Sequence, residues 1–376
     1  MKRFLLLLLA FTVLLSLVNA EGNVDPVLLN LTFEPSSIEQ VFSLPNGSFL
    51  IDYFTPNTSE FWQNIGHDDV LNHITEVVDA SGNGIWHFRD SGDILPEDME
   101  NHLFQYMVFS DRIVREFYTD VSMERYYRKV WDFDGKVIEN SIDSIIQGED
   151  EVRYVFSMYP YILEVWRQGG PEKNAQITNC IDRSSLKLDY FYGSRASLVA
   201  DRDFYLLYNA QGIIKLIRYA GNEKQLYYYD TNLDAVPGKL LCYGSDLYIL
   251  LEKYQGNKLV YSLLSCPTPS EPSDSLSFEL IDSFSIDNDL VVDELFLMND
   301  AIYCVIGDSN GNYYIGHVDR NQLLVDTKTS RRIRCYDSNA GLTRFLISDK
   351  PGKDNWLITV SEKNYQDFLT YFDQPQ

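Results

Sequence analysis

One pattern constrains this chain more than any other: a strand–turn–strand unit that keeps returning from about residue 40 to the C-terminus. Its clearest copies are "SLVADRDFYLLYNAQGIIKLIRYA" (197–220), "GKLLCYGSDLYILLEKYQGNKLVYSLLSC" (238–266) and "VDELFLMNDAIYCVIGDSNGNYYIGHVD" (292–319). Each runs from a short apolar strand through a polar turn into an aromatic-led apolar strand. A Gly/Asn turn and an alternating strand follow. A unit of this kind cannot bury its apolar face alone, so the copies must stack on one another.

The second strand of each unit gives the count. It is "SFLIDYF" at Phe49, "RIVREFY" at Ile113, "YILEVW" at Tyr161, "FYLLY" at Tyr205, "LYILLEKY" at Tyr248, "AIYCVIG" at Tyr303 and "NWLITV" at Trp356. These intervals suit four-stranded propeller blades, which run roughly 40–50 residues. The first interval is longer because "TPNTSEFWQNIGHDD" inserts a loop. Turns such as Asp134-Gly135, Gln255-Gly256-Asn257 and Asn310-Gly311-Asn312 supply residues that take positive φ cheaply.

The sixth unit is expected to end with "RRIRCYD", and after Trp356–Val360 the stretch "YQDFLTYF" suffices for a third strand and no fourth. At the other end "PVLLNLTFEP" (26–35) is a strand with no unit of its own. Pairing it into the last blade closes the ring and hides two sheet edges. The expectation is therefore an all-β, seven-bladed β-propeller closed by its N-terminal strand, forming a single domain over residues 21–376. Six or eight blades are the alternative counts, because the region 60–150 is ragged. Residues 93–101, with Pro96 in the first turn, are the best short-helix candidate. The double glycines and Gly-His/Trp-Asp or Tyr-Trp-Thr-Asp signatures of named propeller families are missing, so the architecture brings no functional residues with it.

The first twenty residues point to a compartment. Lys2 and Arg3 precede the apolar run "FLLLLLAFTVLL", and Val18-Asn19-Ala20 supplies small residues before a cut. This is a secretory signal peptide, residues 1–20. Its apolar core is shorter than the roughly 20 residues of a membrane-spanning helix, so no stable membrane insertion is expected. The tail "YFDQPQ" matches neither a lipid-anchor nor a retention signal. Secretion to the extracellular space follows as the expected localisation. Asn30-Leu-Thr, Asn46-Gly-Ser and Asn57-Thr-Ser are glycosylation sequons, which are expected at the surface of a secreted glycoprotein.

Charge excludes one class of partner. The chain carries a net charge of −24, and loss of Lys2 and Arg3 with the leader takes it to −26. Nucleic acid and anionic membrane need a basic face, and Arg331, Arg332 and Arg334 are the nearest approach to one. Alternating with Ile333 and Cys335, they are the wet face of a strand. Five cysteines (Cys180, Cys242, Cys266, Cys304 and Cys335) leave room for one or two disulfides, with at least one thiol over.

Signals for chemistry are sparse. There is no Gly-x-Ser-x-Gly elbow, since Ser194 lies between Gly193 and Arg195. The five histidines are His67, His73, His87, His102 and His317. His67 and His73 suggest a metal pair, but their spacing does not share a helix face, and a polar loop leading into "ITEVVD" accounts for them better. Asp308–Asn312 resembles a calcium loop without its downstream Glu and is assigned as a hairpin turn. No metal, cofactor or catalytic residue is expected.

One acidic group remains, Asp287, Asp289, Asp293 and Glu294, placed where a connection enters the sixth unit's inner strand. That position rims the central channel of a propeller and is the candidate binding site. Tyr-rich strands such as "LYYYD" and "ERYYRKVW" add exposed aromatic material suited to protein or sugar contacts. The function expected is a non-enzymatic binding scaffold for an extracellular protein or glycan. The alternative is an extracellular hydrolase or lyase that uses carboxylates at the central channel.

Overall fold

Successive side chains on a strand point to opposite faces of its sheet, so a strand apolar on both faces must be covered on both. The second strands of the repeat meet that condition in a ring of sheets. The computed structural model describes residues 26–57, 70–94, 103–118, 125–144, 151–168, 172–188 and 195–373, except 201, 211–212, 232, 234, 244, 257, 270–275, 288–289, 299–300, 321, 330–331, 340–341, 349–353 and 362–363.

The chain opens with β1 (Val27–Leu28). Blade 1 follows with β2 (Ser37–Ser43), β3 (Phe49–Pro56), β4 (Leu71–Val78) and β5 (Gly84–Ile94). Blade 2 holds β6 (Leu103–Val108), β7 (Ile113–Tyr118), β8 (Arg125–Trp131) and β9 (Val137–Ser144). Blade 3 holds β10 (Glu151–Met158), β11 (Tyr161–Gln168), β12 (Glu172–Asn179) and β13 (Ser185–Leu188). Blade 4 holds β14 (Arg195–Ala200), β15 (Asp203–Ala210), β16 (Ile213–Ala220) and β17 (Gln225–Asp230). Blade 5 holds β18 (Val236–Tyr243), β19 (Asp246–Gln255), β20 (Lys258–Pro267) and β21 (Glu279–Asp287). Blade 6 holds β22 (Leu290–Met298), β23 (Ala301–Asp308), β24 (Tyr313–Asp319) and β25 (Gln322–Thr329). Blade 7 is β26 (Arg332–Asn339), β27 (Leu342–Ser348) and β28 (Asn355–Ser361), with β1 as its fourth strand, and the helix α1 (Tyr365–Asp373) ends the described chain.

Every blade is a four-stranded antiparallel sheet, and first strands of different blades approach one another, so they line the centre. Seven apolar seams join the blades in order. Leu50 and Phe54 of blade 1 meet Tyr106 and Trp131 of blade 2. Val114 and Val130 then meet Ile162 of blade 3. Leu163 and Ile177 meet Phe204 and Leu206 of blade 4, and Leu207 and Leu216 meet Leu247 and Ile249 of blade 5. Tyr248 and Leu250 meet Ile302 and Ile306 of blade 6, while Val305 and Ile315 meet Phe345 and Ile358 of blade 7. The last seam packs Leu346 and Leu357 against Ile51, Tyr53 and Ile74, and returns to blade 1. The ring is a closed seven-bladed propeller. Strand β19 shows the logic at single-residue spacing: Leu247, Ile249 and Leu251 face blade 4, whereas Tyr248 and Leu250 face blade 6.

Closure uses the N-terminal strand, but the last blade is allotted differently from the sequence expectation. "RRIRCYD" is the first strand of blade 7 rather than the end of blade 6, and Trp356 opens into the third strand. The stretch expected as a strand is α1, because Tyr365, Phe368 and Leu369 recur at helical spacing and pack into the blade 6–blade 7 seam. Asp93 and Ile94 of the expected helix close β5, and residues 95–101 lie outside the described residues. Cys180, Cys242, Cys266 and Cys304 are free thiols; Cys180, Cys266 and Cys304 are buried in three different seams and Cys242 is half-buried. Burial pushes each of the three buried thiols up to about 12.

Hairpins repeat one local device. Asp79, Asp132 and Asp308 each accept a backbone N–H from four residues on at 2.8–2.9 Å. The residue third in line is Gly82, Gly135 or Gly311, at φ 83°, 84° and 74°. The Asp308–Asn312 segment is such a turn, and its donors hold the Asp308 carboxyl down near about 2.

Candidate functional site

In an antiparallel blade the start of the first strand and the 2–3 hairpin lie at the same end of the sheet, here called the entry face. Of the channel-rim candidates that the structure describes, Asp287 stands apart from Asp293 and Glu294. Asp287 ends the outermost strand β21, opposite Lys258, and Asp289 lies outside the described residues. Asp293 and Glu294 stand on the inner strand β22, where Asp293 is the extra residue of a β-bulge between Val292 and Glu294. Glu294 forms an ion pair with Lys239, the residue that follows the equivalent bulge in β18 of blade 5. Gln40 follows the bulge of β2 and donates Nε2 to Phe104 O of blade 2 at 3.4 Å. These inner-strand bulges re-aim polar side chains sideways onto the next blade.

The densest polar constellation sits instead in the seam between blades 1 and 2. Asp52 of β3, His73 of β4 and Asp90 of β5 form a chain across blade 1, and Arg115 of β7 meets it from blade 2. His73 Nε2 donates to Asp52 Oδ1 at 2.5 Å, and Nδ1 donates to Asp90 Oδ2 at 2.8 Å. Arg115 Nη2 donates to the same Asp90 oxygen at 2.5 Å. Tyr106 Oη donates to Asp52 Oδ1 at 2.7 Å and accepts from Thr75 Oγ1 at 2.7 Å. His73 stacks on Phe104 with ring centroids 3.5 Å apart, and Arg115 lies over the same ring.

Local backbone makes the cluster possible. Asn72 pairs with Asp93 and Ile74 with Arg89, so His73 alone opposes a bulge of Asp90, Ser91 and Gly92. That bulge brings Asp90 back to the imidazole.

Two carboxylate acceptors at the two ring nitrogens require both nitrogens to carry protons. The pKa of His73 is raised: burial pushes it down, but Asp52 and Asp90 outweigh desolvation and favour the imidazolium. Asp90 is held below the ordinary carboxylate range by His73 and Arg115, against the opposing effect of burial. Burial and Asp52 drive the Tyr106 phenol far above its usual value. His73 and Asp52 have essentially no solvent exposure, so the cluster locks two blades together and offers no open nucleophile.

The remaining sequence candidates fall elsewhere. His73 is the strand residue of this lock rather than a loop ligand, and His67 and His102 lie outside the described residues. His87 faces Thr32 Oγ1 at 3.4 Å, and His317 meets the Asp326 carboxylate at 2.9 Å. Among the described residues no group of three or more His, Cys, Asp and Glu is placed to hold a metal ion. Asn30 and Asn46 expose their side chains on blade 1, away from the entry face. Asn57 departs from the expected surface position: it is buried, with Nδ2 donating to Asn72 Oδ1 at 3.4 Å.

Asp52, Asp90 and Arg115 were not singled out from the sequence. One signal marks two of them: charged residues inside otherwise apolar second strands, in "SFLIDYF" and "RIVREFY", where later units have "FYLLY" and "LYILL".

No protein-family model matches the chain, and no curated protein matches it either. Solved structures similar in shape include YCF48 from Cyanidioschyzon merolae, at 8% identity and TM-score 0.45, covering 88% of this chain and 97% of that one. The Dos1 propeller is similar at 10% identity and TM-score 0.44, with coverage of 90% and 95%. The WD40 domain of SCAP from fission yeast is similar at 6% identity and TM-score 0.46, with coverage of 92% and 99%. Likeness at this level carries no argument about activity or partner, and the fold rests on the seven sheets and seams themselves.

Proposed function

We propose that this protein is a secreted glycoprotein whose propeller binds and presents an extracellular protein or glycan without converting it. One contrast carries the reading. Ionisable groups of the kind that run acid–base chemistry are tied up between blades, as in Asp52–His73–Asp90–Arg115 and Glu294–Lys239. Large apolar side chains, by contrast, stand in solvent on outer strands and hairpins, including Tyr254 at 75%, Leu280 at 59% and Val325 at 56% exposure. Exposed aromatic and aliphatic groups on a rigid frame suit recognition. The leader and the sequons support the export route, with Asn30 and Asn46 as the acceptors.

The test is expression of the full chain in eukaryotic cells. The expected outcome is cleaved protein in the medium, glycans at Asn30 and Asn46 but not Asn57 by peptide mass spectrometry, and a reproducible partner after cross-linking. Retention in the cell with an intact leader overturns the export reading. Turnover of a glycoside or ester panel by the purified protein overturns the scaffold reading.

A further inference from the structure

The seam between blades 5 and 6 ends, at the entry face, in a carboxylate that the described chain leaves unanswered. Glu252 of β19 stands opposite Val236 on one side and Tyr261 on the other. Tyr261 is buried in the blade 5–blade 6 seam, and paired residues share a face, so Glu252 faces blade 6 at the upper end of that seam. Among the described residues no cation or hydrogen-bond donor reaches its carboxylate, and burial raises its pKa with nothing opposing. Lys239, close by on the inner strand, is committed to Glu294. Gly238 keeps the space beside Glu252 clear, since a Cβ there would come within 2.7 Å of Oε1.

The surroundings match one kind of guest. Tyr254 lies two residues on from Glu252, on the same face of the sheet, and is 75% exposed; Val236 is 44% exposed. Leu259, Leu290 and Val292, half-buried at the edge of the seam core, complete an aliphatic lip. A desolvated carboxylate beside an aromatic face and aliphatic walls is unfavourable when empty. It is complementary to a cation carried on an apolar stem. The net charge of −24 favours the approach of basic partners.

We propose that this mouth receives an arginine or lysine side chain projecting from an extracellular protein partner, with Glu252 taking the charge while Tyr254 and Val236 cover the stem. The proposal rests on the scaffold reading above and names the partner's chemistry.

The test uses the full-length protein and two probe peptides, Ac-Leu-Arg-Leu-NH2 and Ac-Leu-Gln-Leu-NH2, followed by ligand-observed NMR titration. The arginine peptide is expected to bind about tenfold more tightly than the glutamine peptide. Glu252→Gln and Tyr254→Ala are each expected to remove most of that difference. Equal binding of the two peptides, no binding of the arginine peptide, or unchanged discrimination in Glu252→Gln overturns the proposal. A second readout needs no ligand: Glu252→Gln should raise Tm at pH 7, because it removes an unpaired, partly desolvated charge. A lowered Tm reveals an internal partner and overturns the proposal. If a partner captured by the native protein is still captured by both variants, this docking point fails while the scaffold reading stands. If the native protein captures nothing and turns over a substrate, the scaffold reading itself fails.

Discussion

His73 titrates in a setting that reverses the usual direction for a buried imidazole. Desolvation favours the neutral ring, yet Asp52 and Asp90 each accept one of its protons, and Tyr106, Arg115 and, further out, Lys129 complete the charged surroundings. A folded-state pKa above the unfolded value near 6.5 contributes stability that is fully present below about pH 6.5 and lost as pH rises through the raised value. Asp90 works in the opposite sense: its lowered pKa contributes stability above the unfolded carboxylate value near 3.9, lost as pH falls through the folded value. The blade 1–blade 2 seam is therefore tightest between about pH 4 and about pH 6.5. Tm should fall as pH is raised from 6 to 9, and His73→Gln should flatten that slope relative to the native protein. The substitution leaves the buried Asp52 and the half-buried Asp90 facing one guanidinium and should cost on the order of 3–5 kcal/mol at pH 6. Denaturant titrations at pH 6 and pH 9 check both effects. An unchanged slope in the variant removes the imidazolium from the account, as would imidazole nitrogen shifts typical of a neutral ring at pH 7.

Among the secondary elements, β1 is the shortest strand and has a large structural role. Its two residues pair with Leu357 and Trp356, after which Leu29 N donates to Asn355 O at 2.8 Å and the Leu29 side chain enters the seam between blades 7 and 1. The anchor lies a few residues further on. Thr32 N and Oγ1 donate to the buried Glu76 carboxylate at 3.1 and 2.8 Å, and Tyr53 Oη donates to its other oxygen at 2.6 Å. Glu76→Gln replaces an acceptor of three donors by an amide whose NH2 confronts one of them, a loss of about 1–3 kcal/mol. Deletion of residues 26–35 opens the ring edge as well and should lower Tm further. A fully stable deletion variant would show that blade 7 closes by other means. The closing strand was legible in the sequence as a strand without a unit beside a unit without a strand. The allotment of the last blade was not, because "YQDFLTYF" carries both aromatic strand-like composition and the Tyr365, Phe368, Leu369 spacing of a helix. Only the second describes its fold. The charged seam was less legible still: Asp52, His73, Asp90 and Arg115 meet through sheet register and a β5 bulge, neither of which leaves a local motif.

Across the whole molecule the seven seams are unequal, and that inequality sets where the ring opens first. Most seams put aliphatic and aromatic side chains of second strands face to face. The seam between blades 2 and 3 mixes apolar with charged groups: beside Val114 and Ile162 themselves, Glu116 follows Val114 by two positions and Glu164 follows Ile162 by two, so both carboxylates face it, and both are buried. Arg128 Nη1 lies 3.8 Å from Glu116, and Gln176 and Thr178 donate to Glu164 at 2.6 and 3.0 Å. These groups bury polar surface where the seams on either side of blade 5 bury mostly methyl and ring carbons, and burial of polar groups returns much less free energy than burial of apolar area. Cys180 sits in this seam and feels Glu164 directly, whereas Cys266 and Cys304 lie in the seams on either side of blade 5. All three thiols are protonated in the closed ring and react only when a seam parts. Among these three buried sites, alkylation of the purified protein in sub-denaturing urea should therefore label Cys180 before Cys266 and Cys304, which follow near the main transition, while the half-buried Cys242 is left out of the comparison. Peptide mass spectrometry of the alkylated sites gives the order directly. Simultaneous labelling of all three would mean that the ring opens as one unit despite its uneven seams; earlier labelling of Cys266 or Cys304 would place the weakest seam beside blade 5.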